Sequence, residues 1–251
     1  MSTSTPADPE ARRHEIAANL DAVRARIRDA CRAVGRDPAE VTLVAITKTF
    51  PATDVRLLAD LGVTDIGENR DQEAGPKAAE CADLPVRWHF VGQLQTNKVR
   101  SVARYADVVH AVDRERLIRA LSRAATEEGR RLACLVQVSL DDDLPEGDEP
   151  SRGGVHPRGG VHPGDLPALA DAVEAAEGLD LAGVMAVAPL HGPAYPAFSR
   201  LAEVAADLRQ RHPAATAVSA GMSGDLEDAL ACGATHVRVG SALLGNRPPL
   251  R

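Results

Sequence analysis

The sequence predicts an α/β chain folded as a (β/α)8 TIM barrel with an extra N-terminal helix. Three observations predict it. Eight short β-branched or apolar runs recur along the chain, stretches of helical spacing separate them, and a helical segment with its own stop signal precedes the first run. Strands that alternate with helices pair in parallel through βαβ units, and eight such units close into a barrel. The chain has 251 residues and is 44% hydrophobic, enough for one domain of this kind. A doubly wound open sheet is the competing arrangement, but no Gly-rich fingerprint follows the first strand.

A single domain is expected over residues 1–251. Residues 1–9 are polar and are expected to be disordered. From Ala11 to Val34 apolar residues fall at helical spacing (Ile16, Leu20, Val23, Ile27, Cys31, Val34), and Gly35 supplies the stop. The strands follow as VTLVAIT (41–47), VTDIG (63–67), VRWHFVG (86–92), DVVHAV (107–112), LACLVQVS (132–139), LDLAGVMAV (179–187), ATAVS (215–219) and THVRVG (235–240). Helices between them include ATDVRLLADLG, RERLIRALSRAATEEG and FSRLAEVAADLRQRH. Residues 140–165 break the rhythm. They are rich in Gly, Pro and Asp and carry a tandem hexapeptide with His156 and His162. Two histidines without a carboxylate or thiolate set make a weak metal site, so this segment reads as a flexible insertion after strand five.

Charge and cysteine usage exclude several classes. Lys plus Arg number 29 against 36 Asp plus Glu, a net charge of -7, which argues against nucleic acid as a partner. The N-terminal MSTSTPADPEARRHE has no apolar h-region, and no apolar stretch approaches the roughly 20 residues of a membrane helix. No membrane partner and a cytoplasmic address are therefore expected. Cys31, Cys81, Cys134 and Cys232 are scattered, with no CxxC pair, and read as reduced thiols.

In such a barrel the chemistry sits at the C-terminal ends of the strands. Strand one presents Lys48; strand two presents Glu68 and Asn69. Strand three presents His89, Gln93, Gln95 and Asn97, strand five Gln137 and Ser139, strand six Met185. Strand seven ends in SAGMSGD (219–225) and strand eight in RVGSALLG (238–245). The loops after strands seven and eight are the standard phosphate site of this architecture, and each opens a helix whose N–H groups suit an anion. Ser219, Ser223 and Ser241 are equally able to act as simple N-caps. A lysine facing a phosphate cradle across the barrel mouth suggests a Schiff base with a phosphorylated carbonyl compound. Burial lowers a lysine pKa and frees the amine to attack. The carbonyl belongs either to a sugar phosphate, as in a class I aldolase, or to pyridoxal 5'-phosphate (PLP). The plainer alternative is a lysine salt-bridged to a neighbour such as Glu68.

The motifs VAITKTFP, GENRDQE, WHFVGQLQTNK, GVMAVAP and SAGMSGDLEDALACGATHVRVGSALLGNR, in this order, resemble the pyridoxal phosphate homeostasis proteins, single-domain relatives of the alanine racemase barrel. The resemblance runs from about Arg12 to Arg247. It implies PLP as cofactor, with Lys48 as the Schiff-base lysine, Asn69 near the ring and Met185 against a ring face. It implies Ser219, Met222 and Ser223 as the strand-seven half of the phosphate cradle. Gly240 and Ser241 are implied as the strand-eight half, and Arg238 as the partner of the pyridine nitrogen. Departures are Thr47 and Phe50 in the lysine motif, Arg70 and Asp71 after GEN, Ala220 in SAGMS, and the longer loop at 140–165.

An arginine at the ring nitrogen has a consequence. Arginine donates and cannot accept, so the pyridine nitrogen opposite it stays unprotonated and the ring is a poor electron sink. Many PLP enzymes place a carboxylate there instead. The racemase's opposing base comes from a second domain that this chain is expected to lack. The resemblance thus implies a non-catalytic PLP carrier, a monomer that acts in intracellular vitamin B6 homeostasis and passes PLP to apo PLP-dependent enzymes. No catalytic residue and no metal ligand are assigned. The alternatives are a PLP-dependent amino acid racemase, using His89 or a loop residue as the far-face acid, and a sugar-phosphate aldolase. The latter lacks a second lysine near Lys48.

Overall fold

A computed structural model describes residues 9–141 and 159–245. The elements are α1 (Pro9–Ala33), β1 (Thr42–Ile46), α2 (Ala52–Asp60), β2 (Asp65–Glu68), α3 (Asp71–Glu80), β3 (Arg87–Phe90), α4 (Val99–Tyr105), β4 (Val108–Val112) and α5 (Glu115–Glu127). They continue with β5 (Leu132–Gln137), α6 (Leu166–Glu174), β6 (Leu179–Met185), α7 (Ala194–Arg211), β7 (Ala217–Ser219), α8 (Leu226–Ala231), β8 (His236–Val239) and α9 (Ser241–Leu244). The strands form a closed parallel barrel in chain order, with β8 returning to β1. Closure settles the choice against the open sheet. Seven strands lie within their expected runs, and β2 runs one residue past its own, to Glu68.

The extra helix forms where periodicity places it. Ile16, Leu20, Val23, Ile27 and Cys31 are buried along one face of α1. Val34, expected on the same face, lies beyond the helix end and is 43% exposed. Gly35 takes φ 68°, the left-handed conformation that glycine adopts without penalty. Arg36 N–H then donates to Cys31 O (2.9 Å) and Gly35 N–H to Arg32 O (3.2 Å), a Schellman stop. The helix begins at Pro9, inside the segment expected to be disordered, because proline fits the first helical turn; residues 1–8 lie outside the described residues.

Two layers fill the barrel. Val109, Val112, Cys134 and Val136 face outward into the helix-covered core, while Val108, Ala111, Leu135 and Met185 form a smaller apolar cluster of their own. Of the 140–165 insertion, residues 142–158 lie outside the described residues. Its return stem is ordered: Val161 pairs beside Val138, and His162 Nδ1 accepts from Gly164 N–H (3.1 Å), capping a short turn. No metal-binding group of His, Cys, Asp or Glu occurs among the described residues. No helix among them is long and apolar enough to cross a membrane.

Candidate cofactor-binding site

Lys48 is carried by a strained turn. Phe50 N–H donates to Thr47 O (3.0 Å), closing the turn over residues 47–50 just past β1. Thr49, its third residue, has φ 71°. A β-branched residue pays about 1–2 kcal/mol to sit there. The turn persists because α3 holds it: Glu73 Oε2 accepts Thr49 N–H at 2.9 Å. Lys48 is partly buried on this turn.

Beneath the turn lies a buried ionic cluster that corrects the expectation of no second lysine near Lys48: Lys77 is brought there from α3. Lys77 Nζ, from α3, donates to Thr47 O (2.8 Å) and closely to Glu68 Oε1. Thr47 Oγ1 donates to the same carboxylate oxygen at 2.6 Å. Glu68 Oε1 is therefore engaged by Lys77 and Thr47. Burial raises the Glu68 pKa above its ordinary value, and the Lys77 charge only partly offsets this. Glu68 Oε2 and Thr49 Oγ1 are buried polar atoms without a hydrogen-bond partner. Such orphans cost about 1–3 kcal/mol each, and both belong to residues that flank Lys48 in the sequence or in the cluster under it.

Arg238 lies on β8 and is 5% exposed. Its Nη1 donates to Ser219 O (2.8 Å) and Ser219 Oγ (2.7 Å), and its Nη2 to Ala186 O (2.8 Å). These acceptors are all neutral, and burial pulls its pKa down to about 10. Asp225 acts on this charge without bonding to it, and a buried cation seeks further acceptors.

The loops after β7 and β8 meet. Ser223 Oγ accepts Ala242 N–H at 3.3 Å, joining the β7 loop to the start of α9. Gly221 turns the first loop at φ 87°, where an added Cβ would lie 2.7 Å from Ala229 Cβ. Asp225 accepts Met222 N–H and stands at the N-terminus of α8. The expected placement across the mouth is corrected by the register. β8 pairs with β1, Val44 beside Arg238 and Ala45 beside Val239, so Gly240 and Ser241 lie next to the Lys48 strand end. The Ser219 hydroxyl faces Arg238 and His110 inside the barrel and supports Arg238.

Met185 is the last residue of β6, buried in the interior apolar cluster and paired in register with Ser219. Asn69 is partly exposed just past β2. A cleft of about 530 Å3 opens beside it, lined in part by Gln93, Gln95 and Phe90. His89 does not present itself at the mouth. It is buried in β3, with Nε2 2.9 Å from Asp65 Oδ1 and Nδ1 2.8 Å from His110 Nε2. It faces the opposite end of the barrel and is not placed to act as a far-face acid.

The sequence reading missed the supports. Arg26 of α1 donates to Ser223 O (3.0 Å) and pairs with Glu227. Asn19 donates to Leu243 O (3.1 Å), and Arg12 to Leu244 O (3.1 Å). The extra helix thus clamps both anion loops. Arg12, Asn19 and Arg26, each seven residues from the next and so on one side of the helix, were the available signal.

These residues fit a phosphorylated heteroaromatic aldehyde. Lys48 offers an amine, the adjacent loops offer hydroxyl and backbone donors, and Arg238 offers a buried donor to a ring acceptor. Fold and site together define a barrel of the alanine racemase N-terminal domain class, and that family matches residues 18–248. The chain is 43% identical over 263 residues to the pyridoxal phosphate homeostasis protein of Mycobacterium tuberculosis (strain H37Rv), covering 98% of each chain. It is 43% identical over 235 residues to that of Pseudomonas aeruginosa, covering 92% of this chain and 96% of the relative. Among solved structures, PipY of Synechococcus elongatus with PLP bound superposes with TM-score 0.77 at 34% identity, covering 92% of this chain and 100% of PipY. The chain belongs to the pyridoxal phosphate homeostasis protein family.

Proposed function

We propose that the protein binds PLP and serves its homeostasis in the cytoplasm, holding the cofactor as a Schiff base on Lys48 with little or no turnover. When bound, PLP supplies an electrophilic aldehyde and an electron-withdrawing ring. The protein's residues do the rest. Lys48 supplies the amine from its strained turn. Ser223, Gly240 and Ser241 take the phosphate through backbone and hydroxyl donors, while Met222, whose N–H is held by Asp225, shapes the β7 half of the cradle. Asn69 and Met185 flank the ring, and Arg238, held from behind by Ser219, donates to the ring nitrogen.

One observation supports the non-catalytic reading: Arg238, which this proposal sets against the ring nitrogen, is a guanidinium that is buried and bonded to neutral oxygens. It donates and cannot accept, so it keeps that nitrogen unprotonated and the ring a weak electron sink. The PLP held by the PipY relative supports the choice of cofactor.

Two assays on the PLP-loaded protein test this. Mixed with an apo PLP-dependent enzyme, it should restore that enzyme's activity while losing its own cofactor. Incubated with L-alanine, it should produce no D-alanine above a protein-free PLP control. Steady racemisation at an enzyme-like rate would overturn the carrier reading. Retention of the cofactor in the presence of the apo-enzyme would overturn delivery.

A further inference from the structure

The interior of a (β/α)8 barrel is ordinarily packed with branched apolar side chains. Here five polar residues from five strands form one hydrogen-bonded thread through it. Arg238 Nη1 lies 2.7 Å from Ser219 Oγ, which lies 3.0 Å from His110 Nδ1. His110 Nε2 lies 2.8 Å from His89 Nδ1, and His89 Nε2 lies 2.9 Å from Asp65 Oδ1. Asp65, Ser219, His89, His110 and Arg238 are all buried. None of the three middle residues had a function in the account above beyond Ser219's contact with Arg238.

The ends fix the direction of every bond. A guanidinium only donates, and an ionised carboxylate only accepts. With one proton on each imidazole, a single arrangement satisfies all four contacts. Arg238 donates to Ser219, Ser219 O–H to His110 Nδ1, His110 Nε2–H to His89 Nδ1, and His89 Nε2–H to Asp65. Each ring then carries its proton on Nε2, whereas a second proton on His89 would reverse the two inner bonds. Other charged or titratable groups face this thread: Arg87 on β3 and His236 on β8, which are basic and act against further protonation, and Asp225 at the start of α8, whose charge acts directly on Arg238. Burial holds His110 well below its ordinary value, with His89, Arg238 and His236 adding to it, and burial takes His236 down to about 4. For Asp65, burial alone would raise the pKa, but the His89 and Thr64 hydrogen bonds outweigh it and keep the carboxyl ionised. Asp65 also lines a cleft of about 360 Å3 at the far end of the barrel, beside Arg24 and Arg28 of α1.

We propose that Asp65, His89, His110 and Ser219 are positioning residues that form a one-way relay, fixing the donor geometry of Arg238 toward the cofactor's ring nitrogen and supplying its distant counter-charge. This rests on the PLP-binding reading. The relay explains how a guanidinium survives burial beside neutral oxygens: polarised bonds carry its charge to a carboxylate at the other end of the barrel. It also holds the guanidinium still, because Ser219 Oγ is fixed from behind by His110.

Histidine-selective 15N NMR of the PLP-loaded protein at pH 7 tests the relay itself. The expected result is a neutral, Nε2-protonated ring for both His89 and His110, assigned with single His→Gln variants. A cationic ring, or a proton on Nδ1 of either residue, overturns the proposal. The second measurement is the rate of PLP release. Asp65→Asn should still take up PLP but release it roughly tenfold faster, which corresponds to about 1.4 kcal/mol. Ser219→Ala, which deletes one hydroxyl and keeps the fold in reach, should do the same if Asp65→Asn fails to fold. Release at the wild-type rate from a folded variant overturns the proposal. Wild-type protein that takes up no PLP would instead overturn the binding reading, while the tautomers would still decide whether the relay exists.

Discussion

Lys77 reaches from α3 to hold Glu68 and the carbonyl of Thr47 at once, directly beneath the turn that carries Lys48. The turn, the strand end of β2 and α3 are thereby one unit. A buried pair of this kind adds little over an apolar pair, but removing one partner leaves an uncompensated charge.

Lys77→Met should therefore destabilise the fold by about 3–5 kcal/mol at pH 7.5. The loss should shrink on acidification. The folded pKa of Glu68 lies above its unfolded value because of burial. Its contribution is thus fully present below the unfolded pKa and is lost as pH rises through the folded one. Without Lys77 that folded pKa rises further, so the variant recovers stability as pH falls toward the ordinary carboxylate range. Urea denaturation at pH 5 and pH 7.5 reads this, and an equal loss at both values contradicts it.

Thr49 marks a trade of stability for function. Its φ of 71° and its unpartnered buried hydroxyl both cost free energy. Thr49→Gly should stabilise the cofactor-free protein by about 1 kcal/mol, after the entropy cost of glycine is subtracted. Chemical denaturation of the cofactor-free variant measures it, and a net loss of stability would contradict the strain.

The clamp from α1 should act on phosphate and little else. The Arg26–Glu227 pair is half exposed, so its loss in Arg26→Ala should cost at most about 1 kcal/mol of stability. Loss of the bond to Ser223 O loosens the β7 loop, so affinity for PLP should fall several-fold. Affinity for pyridoxal, which has no phosphate, should stay the same. Fluorescence titration with both ligands separates these outcomes; an equal fall for both would place the effect elsewhere.

Much of the barrel was readable because its strands are near-continuous apolar runs bounded by turn residues, and α1 because Ile16 through Cys31 keep helical spacing. The motif ends gave Lys48, Arg238 and the two loops. Their relative placement was not readable, since only ring closure puts the β8 loop beside Lys48. The interior thread was hidden for the same reason. His89, His110 and His236 sit far apart in sequence inside apolar strands, and only the barrel turns them toward one another. Lys77 was hidden because α3, with Gly75 and Pro76, shows no apolar stripe that would mark its inner face. Val34 was misplaced because periodicity cannot say where a glycine stop takes effect.

The most direct test of the account is the visible spectrum of the protein after loading with PLP and dialysis, beside its Lys48→Ala variant. The account predicts a visible Schiff-base band in the wild type that borohydride fixes onto the chain at Lys48, and loss of both the band and the fixation in the variant. A wild type that stays colourless with PLP, or a variant that keeps the band, would contradict the assignment of Lys48.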